Sequence, residues 1–363
     1  MPDRLPGIIV SRPTLDAPGL AALGARWGAL EAAADASAFQ TWAWVGCNAA
    51  ERFPDPLLIE AHDGEGLVAL ALCNRRRSAF FGDTLWLHES GDAAHDAVFT
   101  EHNDPLLARR APSGLLTHVL QGALRRLDGR VPRLMLSGVG EATLAAALRT
   151  GAAVLPGRDR IAPYVDFAAV APGAATIDQL SANTRQQLRR SGRAYAARGE
   201  LRIEAAQTAE QAALFLDALI ALHAATWSAR GKPGAFATEP VRRFHHCLVR
   251  RGVPGVVELL RVTAGGFVVG YLYNLVHAGR ACAYQSGFDY PGAPAHAKPG
   301  LTCHHLAIEA HRARGGLSYD FLGGADRYKR SLANAERTLH WLSIAPRRHP
   351  AALLARLRCW AGR

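Results

Sequence analysis

The sequence has few features that could build a disulfide framework or a metal site. Its cysteines are scattered, and none of them stands in a CxxC or CxxH spacing. Disulfide-rich and zinc-binding domains depend on such spacings. The sequence therefore predicts no metal, and it favours a reducing, cytoplasmic compartment for the six cysteines Cys47, Cys73, Cys247, Cys282, Cys303 and Cys359.

Long apolar segments and several catalytic signatures are missing as well. The start MPDRLPGIIVSRP lacks a long apolar core, and FVVGYLYNLV at 267–276 is too short and too polar to span a bilayer. The sequence has no Walker loop, no nucleophile elbow and no cysteine with a histidine-partnered signature. We therefore expect no membrane insertion, and a ternary-complex reaction is favoured over a covalent intermediate.

The chain is long enough for two folded domains. It has 363 residues, of which 49% are hydrophobic and 20% are charged, so it can bury a sizeable core. The alanine-rich, proline- and glycine-containing stretch AAVAPGAATID at 168–178 is typical of a hinge. We predict an N-terminal domain at 1–170, a C-terminal domain at 176–347 that carries the active site, and a short basic helix at 348–363.

The charge balance favours anionic partners. Lysine and arginine exceed aspartate and glutamate by 42 − 31 = 11, which suits nucleotides, phosphorylated cofactors or acidic carrier proteins. A stripe formed by Arg185, Arg189 and Arg193 would suit phosphate, or it is a solvated helix face. An arginine-rich composition can equally reflect a genome rich in G and C. Because aromatic interleaving and a helix-turn-helix pattern are absent, DNA binding is not expected.

The second half has a clear order of predicted elements. A helix at about 179–198, the strand LRIEAA and two helices at 208–229 and 238–251 precede a meander of three antiparallel strands, VVELLRVT, FVVGYLYNLVH and ACAYQSG. A helix from Pro299, the strand LSYDF, a short helix at 325–333 and the strand TLHWLSIA follow. The fold class is α/β (α+β), with a mixed, mainly antiparallel sheet flanked by helices.

The first half repeats this order, which indicates tandem domains. It begins with two predicted helices at 16–35 and 39–52 and ends with the predicted strand APYVDF at 162–167. An offset of 186 residues superposes Gly114 and Leu115 on Gly300 and Leu301, at the same place in the element order. Chance matching of alanine-rich helices is the alternative. Only the second half has a proline-glycine helix start together with an acid, a tyrosine and a lysine after the matching strand, so we predict one active site per chain.

The segment AHAKPGL at 295–301 has the features of an anion site. A helix N-terminus exposes unpaired N–H groups and a positive dipole, so it can hold a pyrophosphate. Pro299 suits the first helical turn, Gly300 allows a ligand to approach the backbone, and Lys298 and His296 could meet phosphate charge. An ordinary proline-started helix is the alternative.

Several segments together resemble the GNAT superfamily of acyltransferases, in particular its BioF2-like or CelD-like branch, which is related to the Fem peptidyltransferases. The resemblance covers residues 180–345 approximately. It rests on the segments SANTRQQLRRSGR, LHAATWSARGKPGAF, FHHCL, the meander, KPGL and DFLGGADRYK, and more weakly on FQTWAW in the first half. It implies a tandem GNAT-like fold with an acyl thioester beside ACAYQSG. The expected donor-binding residues are Gln285, Ser286, His296, Lys298, Pro299, Gly300 and Leu301.

The stretch DFLGGADRYK contains the groups that acyl transfer to an amine needs. Asp320 could orient or deprotonate an ammonium group, and Tyr328 or Lys329 could stabilise negative charge or protonate the leaving group. Gly323 and Gly324 allow a tight turn against a ligand. Alternatively, the aspartate caps the next helix and the lysine is merely exposed.

The resemblance also implies an acceptor pocket near LHAATWSARGKPGAF. His223 and Trp227 lie four residues apart on one helix face, although a buried histidine packed on tryptophan is the more common outcome. Tyr284, Phe236 and Gly324 are further predicted substrate-binding residues. Asp289 and Tyr284 flank the central strand and are reserve candidates for general base and general acid, and the catalytic assignment would move to Asp289 and His223 if Lys329 were not catalytic.

Three functions remain open from the sequence. The first is an N-acyltransferase that uses acyl-CoA or an acyl carrier protein to acylate an amine, because thioester donors are usual in GNAT enzymes. The family's usual glycine-rich phosphate loop is replaced by HAKPG, which favours a Fem-like transferase using aminoacyl-tRNA. The third is a non-catalytic accessory protein of polysaccharide biosynthesis that kept the fold without turnover.

Overall fold

The computed structural model describes residues 5–78, 82–93, 95–96, 98–125, 128–324 and 326–361. They form two compact units. The first unit contains the described residues up to Arg160 and those from Thr338 onward, and the second contains Ile161–Arg337. Both limits lie earlier in the chain than the predicted domain ends at 170 and 347, and that predicted division stays a prediction.

The first unit begins with a strand, two helices and an antiparallel meander, and continues with a helix between parallel strands. Its sheet order is β1-β2-β3-β4-β6, and β5 pairs with β3. The elements are β1 Gly7–Ser11, α1 Ala17–Ala32, α2 Trp42–Arg52, β2 Pro56–Asp63, β3 Gly66–Arg76, β4 Thr84–Leu87, β5 Leu106–Leu107, α3 Leu115–Ala123, β6 Arg133–Val139, α4 Glu141–Arg149 and β7 Ala153–Asp166.

The second unit repeats this arrangement. Strand β7 enters it and leads a sheet in the order β7-β12-β11-β10-β9-β8. The elements are α5 Ala182–Ala196, β8 Leu201–Ala205, α6 Ala209–Ser228, α7 Glu239–Gly252, β9 Val257–Ala264, β10 Phe267–His277, β11 Arg280–Phe288, α8 Pro299–Ala313, β12 Ser318–Asp320, α9 Arg327–Leu332 and β13 Ala335–Ala345; β13 ends in the first unit, where α10 Pro350–Ala361 follows.

Among the strand pairs whose direction the described residues give, each unit has one parallel pair beside its antiparallel pairs. Strand β4 pairs in parallel with β6, and β11 pairs in parallel with β12. In each unit a strand, two helices and three antiparallel strands precede the helix that connects this pair, apart from the short β5. The predicted fold class, α/β with tandem units of mixed, mainly antiparallel sheet, is confirmed.

The local sequence explains how the second unit's meander is built. Ala278 and Gly279 both have positive φ in the two-residue loop between β10 and β11, as a type I′ hairpin turn requires. The side chains of Ser181 and Thr208 cap α5 and α6 by accepting backbone N–H groups of their first turns. Apolar residues such as Leu272, Ile308 and Tyr319 then form a fully buried core between the sheet and the helices.

Two strands of the first unit differ from the predicted pattern. Strand β1 was not predicted, and β7 was predicted only as APYVDF at 162–167, whereas it begins at Ala153. Its first half contains Pro156 and Gly157, residues that sequence patterns associate with turns rather than strands. Neighbouring strands therefore override the local preference here.

No helix in the described part of the chain is long and apolar enough to cross a membrane. Among the same residues, no group of three or more histidine, cysteine, aspartate or glutamate side chains could hold a metal ion.

Candidate active site

The second unit's parallel strands separate beyond their third residue pair. Strands β11 and β12 pair only from Arg280 with Ser318 to Cys282 with Asp320. Beyond this point β11 continues to Phe288 beside β10, whereas the chain after β12 follows β7, where Phe321 donates to the Pro163 carbonyl. Within the described residues, no strand pairs with β11 on this edge after Cys282. A cleft therefore opens between the two strands.

Asp320 ends β12 at the start of this cleft. Its carboxylate is buried; Oδ1 accepts the Leu322 N–H at 2.7 Å, and Oδ2 lies 3.6 Å from Nε of Arg337. Leu322 has a left-handed φ of 60°, so the carboxylate stabilises a turn that bulky residues rarely adopt. These contacts support a positioning role for Asp320 and give no support to its predicted role as a general base.

Lys329 lies inside the turn that follows Asp320. Its side chain is only 11% exposed, which rules out the exposed lysine considered from the sequence. The Nζ atom donates to the carbonyls of Leu322 at 3.3 Å and Gly323 at 3.2 Å. The carboxylate of Asp326 is 4.0 Å away. The ammonium group is thus mostly buried, bonded to two carbonyls and paired with a carboxylate, and it places a fixed positive charge at the strand exit.

Gly324 allows this turn to enclose the lysine. It has a φ of 142°, and a Cβ atom there would lie 3.1 Å from Lys329 Nζ and 3.3 Å from the Asp326 carboxylate. A side chain at this position would therefore strain the backbone and press on the ammonium group. The close contact that the sequence predicts at Gly324 is therefore made by the side chain of Lys329 in the same chain.

Tyr328 belongs to an array of rings along the cleft. Its ring stacks on His304 with centroids 5.4 Å apart, and His304 also contacts Phe288 on β11 and Phe321 just after β12. Tyr290 contacts Phe288 at the other end of the array. Local burial of the phenol and the neighbouring Asp326 carboxylate raise the pKa of Tyr328, so its hydroxyl is protonated at neutral pH.

His223 occupies a second aromatic cluster on the other side of β11. Its Nδ1 bonds the Ser286 carbonyl at 3.0 Å, and its Nε2 accepts the Ala235 N–H at 3.1 Å. Burial lowers the pKa of His223. Because both ring nitrogens are engaged by backbone groups, this geometry gives no support to His223 as a general base. The residue ties α6 to β11 and to the loop before α7.

The remaining predicted acceptor residues surround His223. Phe236 contacts both His223 and His245 at 5.2 Å, and Tyr284 contacts His245 at 5.4 Å. The Trp227 ring lies 5.8 Å from His223 and is faced by Arg230 and Lys232 at 5.5 and 5.8 Å. Cations at these distances bind the face of an indole ring. Phe236 and Tyr284 are therefore core residues, whereas Trp227 stands at a basic surface.

The start of α8 is held in place from α5. Ser191 accepts the Lys298 N–H at 2.8 Å, and its hydroxyl contacts that of Thr302 at 2.7 Å. Pro299 has no N–H, and the first backbone bond of the helix joins the Thr302 N–H to the Lys298 carbonyl. The N–H groups of Gly300 and Leu301 precede that bond, as at any helix start. The side chains of Lys298 and His296 are exposed.

Gly300 has a packing role that the sequence did not indicate. A Cβ atom there would lie 3.0 Å from the ring of Phe288, so the glycine lets α8 approach the end of β11. We expect Gly300→Val to weaken donor binding and also to lower the melting temperature, because the ring must move. Calorimetry and thermal unfolding check both effects. Gly192→Val on α5, where an added Cβ meets nothing within 4 Å, is the control and should leave donor affinity unchanged.

The last three predicted residues occupy β11 and the loop after it. Asp289 accepts the Gly292 N–H at 2.9 Å, so its carboxylate closes a turn and gains no support as a general base. Gln285 is half-buried opposite Tyr273, and Ser286 contributes its carbonyl to His223. The structure thus brings Asp320, Gly324, Tyr328 and Lys329 together, and it places the His223 group apart from them.

Sequence reasoning missed His304, Phe288 and Phe321. Phe321 follows β12 directly, and His304 lies one turn into α8, where its ring reaches both separating strands. A histidine on the apolar face of a helix is usually a core residue, so the pattern gave no reason to select it. The only available signal was its position five residues after Pro299 in KPGLTCHH.

Residues 182–330, less than half of the chain, match the Acetyltransferase (GNAT) domain, so the predicted GNAT domain is confirmed in that segment. The comparison with curated proteins finds no match.

Solved structures share the fold over most of the chain. FemX has a TM-score of 0.60 at 9% identity and covers 91% of this chain and 98% of its own. L-PGS from Bacillus licheniformis has a TM-score of 0.54 at 12% identity, and the match covers 92% of this chain and 96% of L-PGS. The C-terminal domain of a putative lysylphosphatidylglycerol synthetase from Agrobacterium fabrum has a TM-score of 0.54 at 14% identity. The match covers 93% of this chain and 96% of that domain. At these identities the likeness concerns the fold alone.

Proposed function

We propose that this protein is an N-acyltransferase that moves an acyl group from a thioester of coenzyme A or an acyl carrier protein to an amine. The observation that supports this proposal most strongly is the mostly buried Lys329 beside Tyr328, at the point where β11 and β12 separate. A fixed ammonium group can stabilise the oxyanion of the transition state, and a protonated phenol can supply the proton that the leaving thiolate needs. The match to a GNAT acetyltransferase domain supports this chemistry.

The edge of β11 beyond Cys282, where no other described strand pairs with it, supports a thioester donor. A pantetheine arm contains two amide groups, which can bond to a strand edge as an added strand would. In the proposed complex the arm lies along Ala283–Phe288, its phosphates meet the N–H groups of Gly300 and Leu301, and Lys298 adds positive charge. Exposed Arg189 and Arg193 on α5, which is hydrogen-bonded to the start of α8, extend this charge.

The proposed reaction is balanced within this site. The uncharged amine attacks the thioester carbonyl, and Lys329 stabilises the oxygen as it gains negative charge. The C–N bond forms, the C–S bond breaks, and the thiolate takes the proton of Tyr328. The proton released by the attacking nitrogen then restores the Tyr328 phenol, so the products are an amide and a free thiol.

The proposal is tested by incubating the purified chain with a panel of donors and primary amines. The donors are acyl-CoAs, acylated acyl carrier protein and aminoacyl-tRNA, and mass spectrometry detects the acylated amine. We expect transfer from a thioester with release of one thiol per amide. Transfer from aminoacyl-tRNA alone would support the Fem-like alternative. The absence of transfer from every donor would contradict the proposal and leave the non-catalytic accessory role.

We expect one donor site per chain. In the first unit, the corresponding strand end carries Gly138, where a Cβ atom would meet the Thr100 carbonyl oxygen at 2.8 Å and the Glu101 Cα at 2.9 Å. The chain's own segment therefore packs closely against the end of β6. Calorimetric titration with the accepted donor's non-reactive thioether analogue should give a stoichiometry near one, and two equivalent sites would contradict the assignment to the second unit.

A further inference from the structure

His304 has one ring nitrogen that is satisfied and one that is not. The residue is 2% exposed. Nδ1 lies 3.1 Å from the Tyr319 hydroxyl, whereas Nε2 is buried without a hydrogen-bond partner among the described residues. Buried polar atoms without a partner are uncommon in folded proteins, because each lost hydrogen bond is costly. The orphan atom is therefore available to a water or a ligand.

A chain of hydrogen bonds fixes which nitrogen carries the proton. Arg314 donates to Oε1 of Glu258, so this ion-paired carboxylate accepts hydrogen bonds. Asn274 must then donate to Glu258 through Nδ2, at 3.0 Å, and present its Oδ1 to the Tyr319 hydroxyl at 3.3 Å.

The same logic continues to His304. The single proton of Tyr319 is used on Asn274, so the tyrosine oxygen must accept the Nδ1–H of His304. A neutral imidazole has one N–H and one lone pair. The lone pair is therefore on Nε2, the orphan atom, and its position is set by residues of β9, β10 and β12.

The environment keeps this imidazole uncharged. Burial and the positive charge of Lys329 lower the pKa of His304 to about 3. The ring is thus a permanent hydrogen-bond acceptor at neutral pH rather than a general base for an ammonium ion. The same Lys329 charge disfavours a second cation nearby, which selects an uncharged donor group as the bonding partner.

The imidazole is enclosed by aromatic rings. It contacts Phe288 on one separating strand and Phe321 beyond the other, at 5.9 and 5.5 Å. The Tyr328 ring stacks on it, and Tyr328 as a residue is 40% exposed, so in our proposal Tyr328 is the side of this enclosure that moves to admit a ligand. A ligand that reaches Nε2 would then be next to both Tyr328 and Lys329.

We propose that His304 holds the acceptor amine, by accepting one N–H of the uncharged amino group at Nε2 and leaving the nitrogen lone pair directed at the thioester carbonyl. This inference rests on the proposed N-acyl transfer and adds the form in which the acceptor binds, as a free amine. Tyr319, Asn274 and Glu258 are positioning residues that act through His304.

Two variants separate the lone pair from the ring. His304→Phe keeps an aromatic ring under Tyr328 but removes the acceptor, and His304→Gln keeps an acceptor oxygen. With the accepted donor and ethylamine, we expect His304→Phe to lower kcat/KM for the amine about 100-fold, with unchanged donor affinity and an unchanged or raised melting temperature. His304→Gln should retain part of the rate. Tyr319→Phe removes the hydroxyl that keeps the His304 proton on Nδ1, and it should lower kcat/KM for the amine about tenfold.

A structural histidine on the same helix is the matched control. His311 bonds the Gly279 carbonyl through Nε2, and His311→Gln should leave kcat/KM for the amine near that of the wild type. Wild-type amine transfer in His304→Phe would overturn the proposal. So would a parallel loss of donor affinity and amine transfer, which would indicate a packing role only.

Nitrogen NMR tests the protonation of His304 and its contact with an amine, even if the protein accepts no donor. In protein labelled with ¹⁵N-histidine, assigned with His304→Gln, we expect a neutral ring with the proton on Nδ1 and an Nε2 signal that shifts on addition of ethylamine. A proton on Nε2, or an Nε2 signal that ethylamine does not shift because an ordered water alone fills the site, would overturn the proposal. Failure of the proposed function is recognised separately, by the absence of transfer from every donor.

Discussion

Replacing Lys329 with methionine should lower kcat by about two orders of magnitude or more, with little change in donor affinity. The loss has this size because one charged donor to the developing oxyanion disappears. Methionine fills a similar volume, but it cannot donate to the carbonyls of Leu322 and Gly323. A small decrease in melting temperature is therefore expected as well. Steady-state kinetics, donor calorimetry and thermal unfolding of the same preparation measure all three quantities.

The neighbouring Arg330 supplies the control for this variant. It is exposed on the same short helix, and Arg330→Met removes a positive charge without touching the turn. We expect its kcat to stay within a factor of two or so of the wild type, as is usual for surface substitutions. Normal kcat in Lys329→Met would move the oxyanion donor away from this turn and contradict the proposed mechanism.

Gly324→Ala should reduce kcat nearly as strongly as the loss of Lys329 itself. The added Cβ would lie 3.1 Å from Lys329 Nζ, so the ammonium group must shift from its two carbonyls. The left-handed φ also strains alanine by about 1 to 3 kcal/mol, which thermal unfolding should detect. Small displacements of catalytic groups are enough for large losses in rate.

Gly315→Ala separates the effect of backbone strain from the effect of displacing the Lys329 ammonium group. Gly315 also has a positive φ, of 79°, but an added Cβ there meets nothing within 4 Å. We expect a loss of stability of about 1 kcal/mol and a nearly unchanged kcat. Equal kcat losses in the two variants would attribute the effect of Gly324→Ala to general destabilisation rather than to Lys329.

The fold could be predicted well where local pattern and tertiary environment agree. The meander from β9 to β11 consists of apolar strands joined by glycine turns, and the structure contains it at nearly the predicted limits. Strand β7 could not be predicted in full, because Pro156 and Gly157 stand in its first half and only neighbouring strands keep them extended. Its extended form depends on contacts that a single sequence does not reveal.

The candidate site shows the same limit at the level of side chains. Chemistry and motif indicated Tyr328 and Lys329, but the burial of Lys329 depends on the left-handed turn at Leu322 and Gly324. His223 was selected for its residue type, yet two backbone contacts occupy its nitrogens. His304 was overlooked because the value of a histidine depends on which nitrogen remains unpaired, and that depends on Tyr319 and Asn274 from other strands.

The most direct test of the central claim is the structure of the chain bound to the non-reactive thioether analogue of its acyl donor. The account predicts that the arm lies along β11 beyond Cys282, with the acyl oxygen within about 3 Å of Lys329 Nζ and the sulfur beside the Tyr328 hydroxyl. An analogue bound in the first unit, or bound in the second with its acyl group away from Lys329 and Tyr328, would contradict it.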